Sequence, residues 1–238
     1  MARVANTAVP PFSAIGMLAM SWTTKSSYYG TGAMIDNRTI LTCSHNLIDQ
    51  VGRPPPLGQA QQILFYPAYN QPRPADPPPG GLAVRAGFYS TRYQQGQDAW
   101  DVGVCRLAAP YAPPPPGVYF TPVNSEKGLL GQNVALAGYP GIPGHGGEMW
   151  WDLDEVNAVD IPTNTCMFTH DTLPGSSGSP IWTDTPDHMG VNQHAIHVSR
   201  GQMQLRRGEL ITAAVLAWIN NARAQPDPPV GTLLVALA

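Results

Sequence analysis

Charge is scarce in this sequence. Only 12% of its 238 residues are Asp, Glu, Lys or Arg, and they leave a net charge of −3. A charge cover that thin argues against disorder through self-repulsion. Without a basic excess there is no electrostatic footprint for nucleic acid, which is excluded as a partner. Cysteine is scarcer still: Cys43, Cys105 and Cys166 are an odd number at wide spacing. They make no disulfide framework, although one bridge stays open, and packed free thiols are the expected state of Cys43 and Cys105. Long apolar runs are missing too. The most apolar N-terminal stretch, residues 12–20, is too short and too interrupted to cross a membrane. No signal peptide follows Met1. The expectation is a chain with no membrane partner, either cytoplasmic, exported by a non-classical route, or secreted if its numbering is that of a mature form.

Glycine and proline are abundant, with 24 Gly and 26 Pro, and 43% of the chain is hydrophobic. That combination disfavours long helices and favours short strands joined by turns, over a length that gives one domain or two small lobes. Strands are predicted at 12–22, 39–43, 63–66, 99–107, 133–138, 148–151, 166–170 and 195–199, with a turn at 28–32. Residues 211–223 carry apolar side chains at 211, 215, 218 and 219, a helical spacing, and this helix is expected to pack on the second lobe. Proline-rich loops lie at 53–58 and 71–81. The run PYAPPPPG (110–117) is stiff and cannot sit in a sheet, so the lobes are placed at 1–112 and 113–238. The tail GTLLVALA reads as an extra strand or a contact surface.

The chemistry gathers around DTLPGSSGSPIW (171–182). Gly175 and Gly178 bracket Ser177 in a tight turn that can aim the N–H groups of Gly175 and Ser177 into one space, as an oxyanion requires. Alone, this is equally an ordinary Ser/Gly loop. A serine nucleophile needs a base, and His45 stands at the end of the β-branched stretch TILTC. The base needs an orienting carboxylate, and Asp101 heads the strand that follows, with Asp98 the nearby alternative in a more exposed loop. The order His, Asp, Ser is that of chymotrypsin-like enzymes. A G-x-S-x-G elbow is not formed, because its fifth position is Ser179.

These blocks resemble the glutamyl endopeptidase branch of the trypsin-like serine proteases. GTGAMIDNRTILTCSHNLID, FYPAYN, WDVGVCRL, GYPG with GEMWW, HDTLPGSSGSPIW and AIHVSRG are similar to its segments in the same order. The resemblance runs from about residue 30 to about residue 223. It implies an all-β fold of two six-stranded antiparallel β-barrels with a C-terminal α-helix. His45 and Asp101 would come from the first barrel and Ser177 from the second. It implies a protein or peptide substrate, and no metal or cofactor. Thr172 and His197 match the family's receptors for a substrate carboxylate, with Val198, Ser199 and Arg200 following on the substrate strand. Arg200 departs from the expected glycine. Asp171 stands where trypsin-type enzymes hold an aspartate for Lys or Arg, which keeps basic or narrow specificity as the alternative. Ser176 replaces the aspartate that pairs with a new N-terminus in trypsin, so that switch is not expected, and Arg3-Val4 remains a candidate processing site.

Two further readings stand beside this one. A catalytically silent protease-like binding module would keep the fold without the reaction. A zinc site would draw on His194, His197, Cys166 and His170, but the two histidines are an odd number of residues apart and would face opposite sides of a strand.

Overall fold

The computed structural model describes residues 1–23, 26–48, 58–71, 78–112, 118–142, 146–184, 191–200 and 205–238. Most of the proline-rich 53–58, 71–81 and 110–117 stretches lies outside these residues.

In chain order, β1 (Ala2–Arg3), β2 (Ile15–Thr23), β3 (Ser26–Met34) and β4 (Thr39–Thr42) come first. β5 (Gln62–Pro67), β6 (Leu82–Ser90), a single helical turn α1 (Thr91–Gln94) and β7 (Gly103–Leu107) follow. The second half holds β8 (Phe120–Pro122), β9 (Asn133–Gly138), β10 (Trp150–Asp160) and β11 (Thr165–Phe168). It closes with β12 (Pro180–Asp184), β13 (Val191–Arg200), β14 (Arg206–Leu210), α2 (Ala213–Ala224) and β15 (Leu234–Leu237).

Strands β2 to β7 form a closed ring in the order β2-β3-β4-β7-β6-β5. Strands β9 to β14 close in the same order, β9-β10-β11-β14-β13-β12. The fold is therefore two six-stranded antiparallel barrels with one C-terminal helix, of the chymotrypsin-like kind. Both ends of the chain cross over. β1 joins the edge of the second barrel by pairing with β10, and β15 lies parallel to β6 of the first.

One apolar cluster fills the first barrel around Leu18, Ile40, Phe65 and Phe88, and runs on into the face the barrels share. A smaller one, with Val134, Phe168 and Ile181, fills the second barrel. Each such side chain at 0–1% exposure contributes about 1.5–3 kcal/mol. The three cysteines are free thiols inside these layers.

Two expectations are corrected. Residues 28–32, read as a turn, are the middle of β3. Their glycines answer to crowding: a Cβ on Gly30 would stand 2.5 Å from the Asn46 amide, and one on Gly32 2.6 Å from Ile40. The helix forms, capped by Thr212 Oγ1 accepting from the Val215 N–H, but it packs on the first barrel and not on the second lobe. Arg106 of β7 decides this, because its guanidinium donates to the Ala222 and Arg223 carbonyls at the helix C-terminus.

Candidate active site

β4 ends at Thr42, and a 3-10 turn over Ser44–Asn46 presents His45. Ser44 Oγ donates to the Val102 carbonyl at 2.6 Å, tying this turn to the segment that carries Asp101. The Asp101 carboxylate, 5% exposed, accepts twice from one residue. Oδ1 takes the His45 main-chain N–H at 2.9 Å, and Oδ2 meets His45 Nδ1 at 2.7 Å. Since a carboxylate only accepts, the ring proton belongs on Nδ1, and Nε2 is left with its lone pair as a base. Burial works to lower the imidazole pKa, but the charge of Asp101 and its hydrogen bond outweigh it and raise the pKa well above the ordinary 6.5. Nε2 lies 3.5 Å from Cys43 Sγ.

Ser177 arrives from the second barrel. Its carbonyl accepts from the Thr31 N–H at 2.8 Å and from Asn46 Nδ2 at 3.0 Å, so the residue next to His45 holds the serine's own main chain. The turn needs its glycines. Gly175 and Gly178 have φ of +100° and +89°, and a Cβ on either would stand 2.3 Å from the Tyr139 carbonyl or 2.0 Å from that of Thr31. Thr31 Oγ1 donates to the Gly175 carbonyl at 2.9 Å and accepts the Tyr139 N–H at 3.1 Å. Among the described residues the N–H groups of Gly175 and Ser177 donate to no protein acceptor, and no hydrogen bond joins Ser177 Oγ to His45. A cleft of about 260 Å³ opens beside Gly175, walled by Tyr28, Tyr29, Tyr139 and Pro174.

β13 brings His197 to the same turn: the Gly178 N–H donates to its carbonyl and its own N–H to Ser179, both at 2.8 Å. His197 is 3% exposed, its Nδ1 has no hydrogen-bond partner among the described residues, and its ring tilts against Phe168, with His170 on Phe168's edge. Burial, with positive charge at His45, His170 and Arg206, pulls the His197 pKa down to about 3. Thr172 is buried nearby in sequence, at 1% exposure, whereas Asp171 is exposed and uses its N–H on Asp152 at 3.1 Å. At Val198, also buried, the pairing of β13 with β14 shifts register between His197 and Ser199. Ser199 and Arg200 continue β13, with side chains outside the described set.

The zinc candidates do not converge. His194 spends both ring nitrogens, on Ser125 Oγ and Thr183 Oγ1, each at 2.7 Å. Cys166 Sγ turns to the Gly208 carbonyl. Among the described residues, the set whose donor atoms do converge is Cys43, His45 and Asp101, two of which are already bonded to each other.

A family model of the trypsin-like peptidase domain matches residues 30–191, a span that holds the His45 turn, Asp101 and the Ser177 turn. The chain belongs to the trypsin-like peptidases. Among its relatives, a glutamyl endopeptidase of Bacillus licheniformis is 26% identical over 232 residues, covering 93% of this chain and 67% of that protein. A protein of Bacillus subtilis named an extracellular metalloprotease is 26% identical over 202 residues, or 84% of this chain. The peptidase spans 60% of that relative's length. A solved structure of a Glu endopeptidase in complex with MPD matches the fold with a TM-score of 0.71 at 22% identity, over 94% of this chain and 96% of that one. A peptidase acts on peptide or protein, so the substrate class follows from the family.

Asn46 and Thr31 were not legible as site residues. Their partners at the serine turn lie more than 100 positions away, and nothing local in SHNL or GTGA marks them.

Proposed function

We propose that this peptidase is a serine endopeptidase working through His45, Asp101 and Ser177, with Glu or Asp preferred before the scissile bond. The observation that carries the reading is the doubly bonded Asp101–His45 pair, delivered to the turn whose serine carbonyl Asn46 holds.

Ser177 Oγ, rotated toward Nε2, attacks the substrate carbonyl carbon while His45 takes the hydroxyl proton. Negative charge then collects on the former carbonyl oxygen, where the Gly175 and Ser177 N–H groups receive it. His45 returns the proton to the departing amine, leaving an acyl-serine. Water, deprotonated by the same imidazole, attacks this ester and frees Ser177. Asp101 keeps its negative charge throughout and stabilises the imidazolium.

Thr172 and His197 would receive the substrate's side-chain carboxylate. A buried imidazole without a partner favours an anion: the incoming carboxylate accepts its N–H and raises its pKa. The Bacillus licheniformis relative's name supports the same preference. Exposure of Asp171 speaks against a buried anion for Lys or Arg. The substrate main chain would run along Val198, Ser199 and Arg200, where the bulge takes β13 out of register with its neighbour.

The test offers wild type and Ser177→Ala a set of peptides differing only in the residue before the cut. Cleavage after Glu, lost in the variant, is the expected result. Cleavage after Lys or Arg would overturn the pocket and keep the triad. Equal cleavage by Ser177→Ala would overturn the triad, and failure of wild type to react with a fluorophosphonate probe would support the silent binding module.

A further inference from the structure

The short segment that carries Asp101 belongs to the first barrel, yet the second barrel grips it. Residues Asp98–Trp100 form a 3-10 turn just before Asp101. Arg207 donates to the Asp98 carbonyl, and its guanidinium also lies 3.8 Å from the Asp98 carboxylate. Asn164 Nδ2 donates to the Ala99 carbonyl at 2.8 Å, with the asparagine fixed in turn by Thr212 Oγ1 at 3.0 Å and by the Leu210 N–H at 2.7 Å. Glu209 shares a strand face with Arg207, being two residues on in β14.

Glu209 is the unexplained member. It is 0% exposed, and neither carboxyl oxygen completes a hydrogen bond among the described residues. The Asp101 main-chain N–H approaches it without completing a hydrogen bond and works to lower the Glu209 pKa. Burial, the largest influence, and then the like charge of Asp101 act the other way and hold that pKa well above its ordinary value, with Asp98 adding to them and Arg207 opposing. From β11, the Cys166 thiol also senses its charge. An ionised carboxylate here would stand unpaired beside the triad's own carboxylate, which is the costly arrangement. The neutral acid keeps a carbonyl oxygen to accept from Asp101 and adds no second charge to the pair that His45 senses.

We propose that Glu209 is a positioning residue for the active site: its buried carboxyl seats the main chain at Asp101 and so fixes the aspartate against His45. The proposal rests on the triad reading above for its effect on catalysis, but not for its effect on stability.

Two variants of similar size separate the parts of the claim. Glu209→Gln keeps an acceptor and can never ionise, whereas Glu209→Met fills the space with no acceptor. Thermal unfolding of the full chain would be followed from about pH 4 to about pH 9 for all three proteins. The unfolded chain releases the Glu209 proton near the ordinary 4.5 and the folded chain keeps it, so wild type loses stability as pH rises from there toward the folded pKa. Glu209→Gln has no such loss. Its Tm should exceed that of wild type by a margin that grows with pH and shrinks below 4.5. A margin that does not change with pH overturns the uncharged state.

In kinetics on a cleaved peptide, Glu209→Gln should stay within about threefold of wild type, while Glu209→Met loses roughly tenfold to a hundredfold in kcat with KM little changed. The acidic limb of the Met variant should also move to lower pH, because a loosened Asp101 supports the imidazolium less. A uniform loss at every pH, or no loss, overturns the positioning role. Failure of the triad reading would show separately, as activity surviving in Ser177→Ala, and would leave the unfolding result standing.

Discussion

His45 gives the residue scale its sharpest consequence. Under the proposed mechanism its base form is needed for attack on substrate, and Asp101 raises its pKa well above 6.5. The acidic limb of kcat/KM should therefore lie above that value, and activity should fall as pH drops through it. For stability the sign is reversed. The imidazolium–Asp101 attraction is fully present below 6.5 and is lost as pH rises through the folded value. Replacing Asp101 with Asn should move the limb downward and lower kcat by orders of magnitude; an unmoved limb in a pH–rate series would detach the aspartate from the histidine. His45, Asp101 and Ser177 stood out as candidates because each has a distinctive local setting: a β-branched strand end, a strand head, a glycine-bounded turn. Thr31, Asn46 and Glu209 did not. What they do depends on atoms brought to them by the closed barrels, and a side chain's distant neighbour leaves no trace in its own segment.

At the scale of elements, β-branched or alternating runs such as TILT and NVALAG stood out, while β6 and β14 did not. LAVRAGFYS has no clean alternation because both its faces are covered, and RRGEL is polar for a strand because Arg207 turns to the Asp98 carbonyl. The helix was legible by its spacing, but its docking was not, since Arg106 sits in an apolar strand where an arginine looks misplaced. Its guanidinium stitches β7 to α2 and also meets Asp227 at 2.8 Å. Arg106→Met should take the guanidinium from two helix-end carbonyls, of which Ala222 keeps the Gln225 N–H, and cost about 2–4 kcal/mol in a urea titration. The peptide preference of whatever stays folded should not change. A loss below about 0.5 kcal/mol would mean water serves those carbonyls equally well.

On the scale of the molecule, the two barrels repeat one strand order without a visible sequence repeat. That follows from what a barrel demands: closure and inward apolar faces, met by many different side chains. The tail was legible as an extra strand, but where it docks was not. β15 adds to β6, the Leu233 carbonyl takes the Gly87 N–H at 2.7 Å, and Leu237 faces Trp218 Nε1. Removing residues 233–238 should lower the urea midpoint by an amount equivalent to about 3 kcal/mol, although no triad atom is touched. An unchanged midpoint would make the strand an ornament.

The same crossing has a bearing on birth. A ribosome releases the first barrel's strands early, but β15, which adds to β6, is made only after the whole second barrel. Until it emerges, residues 87–90 of β6 lack that outer partner and Trp218 of α2 lacks the Leu237 carbonyl, although the six-stranded ring itself can close. The first barrel thus receives its outer strand only once the second has been made.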